Sequence, residues 1–155
     1  MTSSAAAVTL SDDARDVAVA EAQAVLAMAR DPAYRERLAS LLAAASAGEV
    51  AGADAETLQE LLELGLHTGR LRALYGPGGE SAALAAYRRL PNGAALGESA
   101  REVTSALRAL RGRELESVSL TAVGPGVFSL TLAAGGAEVS VRLDRQGARV
   151  STVGV

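Results

Sequence analysis

The sequence contains no cysteine, tryptophan, lysine or isoleucine, and a single histidine, His67. Each absence excludes something. Without cysteine there is no disulfide framework, no thiolate zinc or iron–sulfur site and no cysteine nucleophile. Without lysine there is no Schiff base, no lysine-bound pyridoxal phosphate and no Walker lysine. One histidine cannot build a multi-histidine metal site within one chain, and a Ser-His-Asp triad has only His67 to draw on. The aromatics are three tyrosines and one phenylalanine, which is poor in the stacking surfaces that bind single-stranded nucleic acid. The reading therefore assigns no catalytic residue, no metal site and no cofactor, and leans away from an enzyme.

What is present is 155 residues with a formal net charge of −3; all 15 basic residues are Arg, and Ala fills 34 positions. Arg in place of Lys, and Val and Leu in place of Ile, is what GC-rich codons favour, and it points to a bacterial genome. A chain of this length buries roughly 68–70% of its unfolded surface and folds without a staple. We read residues 1–10 as a flexible N-terminus and 11–155 as a single domain. The first ten residues carry neither the basic start nor the long apolar core of a signal peptide. The longest uncharged stretch, Ser117 to Ala137, is broken by Gly124-Pro125-Gly126 and Gly135-Gly136, so it reads as strands and turns and not as a membrane span. A soluble, cytoplasmic protein is expected.

The hydrophobic period changes near Arg113. Residues 11–113 follow a helical pattern and residues 114–155 alternate with period two. That order predicts an α+β fold: an N-terminal layer of four to five helices, then a C-terminal four-stranded antiparallel meander. Ser11 is a predicted N-cap with Asp12 and Asp13 in the first turn, and Val17, Ala24, Val25 and Met28 form a thin apolar stripe. Asp31-Pro32 ends the first helix and starts a second, closed by Gly48. Glu49 to Ala53 reads as a loop and Asp54 as the cap of the third helix. A bend or stop is expected near Gly69, a loop at Gly76-Pro77-Gly78-Gly79, a fourth helix over residues 81–90 and a turn at Pro91-Asn92-Gly93. Leu96, Ala100, Val103, Leu107 and Leu110 step by 4, 3, 4 and 3 along a fifth helix.

In the meander, Val118, Leu120, Phe128, Leu130, Leu132, Val139, Val141 and Leu143 share one face. That face is expected to pack on the helices, most directly on the fifth. Val150 and Val153 differ in parity, which predicts a bulge or a buried end in the last strand. Ser119, Thr121, Ser129, Thr131, Ser140 and Arg142 lie on the opposite face, which is nearly uncharged. Exposed sheets usually carry more charge than this to resist pairing. The face is either a solvated surface or the surface of a homodimer or partner.

Charge is uneven. Residues 1–69 hold 4 Arg and 11 acids, residues 70–113 hold 8 Arg and 3 acids, and residues 114–155 hold 3 Arg and 4 acids. A basic middle between acidic flanks is either a partner surface or is neutralised within the domain by the acidic helices. Arg88, Arg89, Arg108 and Arg111 read first as cations at helix C-termini, where the dipole favours them, and second as candidates for partner binding. His67, Arg70, Arg72 and Tyr75 are the candidates for a ligand site. The glycine loop at 76–79 lacks the spacing of a phosphate-binding loop, and Glu80 would repel a phosphate.

Helices followed by a meander resemble, in order of elements, the cystatin-like and nuclear-transport-factor-2-like cone folds. That resemblance implies a ligand pocket between sheet and helices. Three functions are thus expected in order: a non-catalytic accessory or interaction module that self-associates or docks on a larger protein; a small-molecule-binding or cone-type domain; and a regulatory nucleic-acid-binding domain using the Arg-rich 70–113 region.

Overall fold

The computed structural model describes residues 6–154. The architecture is α+β, with five helices followed by a four-stranded antiparallel sheet. The chain forms two compact units, residues 1–94 and 95–155. Among the described residues no helix is long and apolar enough to cross a membrane.

The first unit holds β1 (Val8–Thr9), α1 (Asp12–Met28), α2 (Pro32–Ala47), β2 (Glu49–Val50), α3 (Gly52–His67), α4 (Arg70–Tyr87) and the start of α5 (Pro91–Leu107). Residues 1–5 of the expected flexible N-terminus lie outside the described residues. Of the next five, Val8 to Leu10 depart from that expectation. Val8 and Leu10 are buried, and Val8 and Thr9 pair with Val50 and Glu49 as a two-stranded antiparallel ribbon. Glu49 and Val50 are therefore strand and not loop.

Local chemistry sets the helix starts. Ser11 Oγ accepts from the Ala14 amide at 3.3 Å, and Asp31 accepts from the Tyr34 amide at 2.9 Å with Pro32 at the first helical position. Each side chain satisfies one of the amides that a helix start leaves unpaired. Asp54 does not cap α3. That helix begins at Gly52 behind Ala51, which makes no side-chain cap, so Asp54 sits inside the first turn.

Two turns expected from glycine and proline are helical. Gly76 alone leaves the helix, at φ 69°, and the chain resumes helix at Pro77 through Gly78 and Gly79. Proline lacks only an amide that a first helical residue does not use, so it restarts a helix readily. Pro91 does the same for α5, whose first turn contains Asn92 and a buried Gly93. A Cβ at Gly93 would run into the Tyr87 carbonyl, so glycine there permits the close approach.

The core of this unit is built on Leu38, Leu41, Leu58, Leu62, Leu71 and Leu90, all fully buried, with small residues of α1 against them. The buried face of α1 is Ala14, Val17, Ala18, Glu21 and Ala22. Ala24 and Met28, expected on that face, are exposed. The spacing is that of one helical face, with the acid Glu21 standing in its middle.

The second unit holds the rest of α5, a 3-10 turn (Arg108–Leu110), β3 (Leu115–Gly124), β4 (Val127–Ala134), β5 (Ala137–Asp144) and β6 (Gly147–Gly154), in spatial order β3-β4-β5-β6. Gly135 and Gly136 both take positive φ in the tight turn between β4 and β5, as a two-residue hairpin turn of matching twist requires. The predicted bulge exists. Val141 pairs with Val150 and Ser140 with Thr152, leaving Ser151 extra, so Val150 and Val153 reach the same face.

Candidate functional site

Two places in the molecule gather polar or apolar groups in a way that packing alone does not require. The first lies in the helical unit. Glu21, 1% exposed, receives the Tyr75 hydroxyl at 2.9 Å on Oε1 and the Arg70 guanidinium on Oε2. Arg70 opens α4 and Tyr75 stands just before the Gly76 break, so one short helical segment delivers both groups to α1. The Arg70 Nε is buried and has no acceptor. Burial first, then the hydrogen bond and charge of Glu21, push the Tyr75 phenol from 10.0 up to about 12, against a smaller opposing pull from Arg70. A phenol so held stays protonated at neutral pH and acts as a donor, not as a base.

A parallel arrangement stands at the other end of α4. The Tyr87 hydroxyl donates to Glu63 at 3.0 Å, the Asn92 amide side chain donates to the same oxygen at 2.9 Å, and Gln59 accepts from the Asn92 backbone at 2.6 Å. Tyr87 is likewise raised to about 12, by burial and then by Glu63. Both tyrosines therefore tie α4 to an acid on another helix.

Of the four candidates for a ligand site, the structure brings together Arg70 and Tyr75, through an acid that the sequence reading did not include. Arg72 turns instead to Glu80 at 3.3 Å across the Gly76 break. His67 is exposed in the last turn of α3, where a cation suits the helix end. Among the described residues no three His, Cys, Asp or Glu side chains converge as metal ligands. Glu21 was missed because an acid in an amphipathic helix reads as its wet face. Its one signal was its place between Val17, Ala18 and Ala22 at helical spacing.

The arginines are placed separately. Arg88 is exposed, Arg89 donates to the Thr9 carbonyl at 2.8 Å, and Arg108 and Arg111 are exposed around the 3-10 turn. Among the described residues, Arg70–Glu21 is the one ion pair joining the basic 70–113 segment to the acidic 1–69 segment; Arg37–Glu60, Arg72–Glu80 and Arg101–Glu98 stay within their own segments. Direct pairing thus neutralises little of the charge contrast.

The second place is the sheet. Strand register aligns three apolar rows across all four strands: Val118, Leu132, Val139 and Val153; Leu120, Leu130, Val141 and Val150; Ala122, Phe128, Leu143 and Ala148. The opposite face aligns Ser119, Thr131, Ser140 and Thr152, then Thr121, Ser129, Arg142 and Arg149. Thr131 and Ser140 are linked at 3.0 Å, and Arg142 approaches Asp144 at 3.5 Å.

Within the second unit the apolar face is unevenly exposed. Val139 and Val141 on β5 are buried, with the 3-10 turn packed against that strand, whereas Val118, Leu120 and Phe128 on β3 and β4 are 54%, 61% and 41% exposed and Val153 on β6 is 48% exposed. Leu115 at the start of β3 is exposed as well. The reason is width. A helix is about 10 Å across and strands are about 4.8 Å apart, so one helix spans two strands and not four. The second unit contains the remainder of one helix.

Comparison with known proteins finds no matching family model, no matching curated protein and no matching solved structure.

Proposed function

We propose that the chain is a non-catalytic interaction module whose C-terminal sheet associates with another protein surface. The observation that carries this reading is the exposed apolar strip of Leu115, Val118 and Leu120 on the edge strand β3, with Phe128 beside it on β4. A contiguous apolar patch beside an unpaired strand edge is costly to leave in water and prone to unwanted pairing. Polar chemistry elsewhere supports the same reading. Both oxygens of Glu21 are occupied by Arg70 and Tyr75, which ties α4 to α1. We place the module in a bacterial cytoplasm on its composition.

A ligand site at His67, Arg70, Arg72 and Tyr75 draws less support, because these four side chains do not converge. Nucleic-acid binding through the 70–113 arginines lacks stacking aromatics beside them.

The test combines light scattering with amide hydrogen exchange on the full chain. The expected result is an assembly larger than one copy, alone or with a stoichiometric protein partner, in which the β3 amides are protected. A strict monomer whose β3 amides exchange freely, with and without any co-purifying protein, sinks the reading.

A further inference from the structure

We propose that the surface covering β3 is a second copy of this chain, its β3 strand pairing antiparallel with the first about a two-fold axis through Ser119. The inference rests on the association reading and names its partner.

The two edges of the sheet differ. β6 carries Arg149, is bulged at Ser151 and has eight residues; a charge and a bulge both discourage edge pairing. β3 has ten residues, every one from Leu115 to Val123 exposed; it is itself bulged at Glu116 and Val123, but between these bulges Ser117 to Ala122 is a regular, uncharged run of six residues. Glu116 is the single charged residue within it, next to Arg113 and Glu114 just before the strand.

That charge pattern favours antiparallel over parallel pairing of two β3 strands. Parallel pairing of two β3 strands sets Glu116 beside Glu116. Antiparallel pairing sets each charged end against the neutral end of its partner, which leads into Gly124-Pro125-Gly126. The two Glu116 residues then stand about six residues apart along the ladder, roughly 20 Å, which is beyond the Debye length at physiological salt. From Ser117 to Gly124 the edge has no charge with which to select a differently charged partner strand.

The side chains agree. A two-fold axis through Ser119 aligns residues of equal parity, so both sheets present the same face. Val118 meets Leu120 of the second copy, Ser117 meets Thr121, and Ser119 meets its own equivalent. Apolar groups oppose apolar groups and hydroxyls oppose hydroxyls, the pairing that stabilises antiparallel neighbours. The contact is isologous and closes at two copies. A β3-to-β6 contact would instead propagate, and the bulged, charged β6 edge opposes it.

The absence of cysteine makes the test clean, because Ser119→Cys supplies the sole thiol. Equivalent residues on such an axis have Cα atoms about 4.5–5.5 Å apart, within disulfide range. With oxidised glutathione as oxidant, Ser119→Cys is expected to form a disulfide dimer roughly 100-fold faster than Thr152→Cys on β6, since pairing raises the local thiol concentration from micromolar to millimolar or more. Ser117→Cys is not expected to link to itself, because its two copies lie about 14 Å apart in this register. It is expected to link to Thr121→Cys when the two variants are mixed. Light scattering of the unsubstituted chain is expected to show a dimer.

A dimer in which Thr152→Cys links and Ser119→Cys does not overturns the inference and leaves the association reading standing. A heterologous protein protecting β3 on a monomeric chain does the same. A monomer with freely exchanging β3 amides, and no disulfide at any of these positions, removes both.

Discussion

The Tyr75 hydroxyl donates to Glu21 Oε1 at 2.9 Å, joining residues 54 positions apart. The Arg70 guanidinium occupies the other oxygen of the same carboxylate. A buried acid is tolerated only when its oxygens are paired, and here one short helical segment supplies both partners. The three residues hold α4 on α1.

Breaking this group is expected to cost stability. Removing one partner of a buried ion pair costs about 3–5 kcal/mol. Arg70 is 34% exposed and its charge reaches water, so a smaller loss applies. For Glu21→Gln we expect about 2–3 kcal/mol, and for Tyr75→Phe about 1 kcal/mol. At about 2–4 °C per kcal/mol, Glu21→Gln lowers the melting temperature by several degrees. Thermal denaturation followed by circular dichroism checks this, and a double-mutant cycle is expected to show coupling between the two positions. A melting temperature unchanged in Glu21→Gln contradicts it.

High pH is expected to destabilise the fold between about pH 10 and pH 12. Tyr75 and Tyr87 have native pKa values of about 12 against 10.0 for a free tyrosine. In that window the unfolded chain has lost these protons and the native chain keeps them, so the native state binds more protons and stability falls as pH rises. Below pH 10 their contribution is fully present. Denaturant midpoints measured across the window are expected to fall, less steeply in Tyr75→Phe and in Tyr87→Phe. A flat profile would falsify the assignment.

Two adjacent glycines are expected to respond with opposite sign. A Cβ at Gly79 would run into Tyr75 Cβ and meet Val17 Cγ2 at 3.6 Å, whereas one at Gly78 meets nothing within 4 Å. Gly79→Ala is expected to cost about 1–3 kcal/mol through overpacking. Gly78→Ala is expected to gain about 0.5–1 kcal/mol through helix propensity and a less flexible unfolded chain. Equilibrium urea denaturation separates them, and equal effects of one sign would count against the helical reading of 77–79.

One apolar row offers an internal control for the unevenly exposed sheet. Val118 and Val139 belong to the same row, 54% and 0% exposed. Val139→Ala is expected to lose about 2 kcal/mol, and Val118→Ala to stay within about 0.5 kcal/mol at concentrations where the chain is monomeric. Comparable losses at both positions in dilute solution would mean that β3 is covered within a single chain.

Much of the fold was legible in the sequence, for reasons that differ by element. Ser11 and Asp31-Pro32 act within three residues of themselves, so their caps could be read directly. The meander was legible because short turns at Pro125-Gly126, Gly135-Gly136 and Arg145-Gln146 leave neighbouring strands no other partner. Gly76 to Gly79 and Pro91 to Gly93 were harder. The same residues that break a helix also start one, and the choice depends on whether a neighbour, Tyr75 or Tyr87, approaches too closely for a Cβ.

By itself, then, the sequence determined the order of a helical part followed by a four-stranded meander, which way the strand side chains alternate, and which reactive groups are missing. These follow from interactions within one turn of helix or across one hairpin. Only the tertiary structure decided that Glu21 is buried beneath Arg70 and Tyr75, that His67 faces solvent, and that the apolar sheet face is covered at β5 and bare at β3. Burial depends on which surfaces meet and which run out, and a residue 54 positions away leaves no mark on the local pattern.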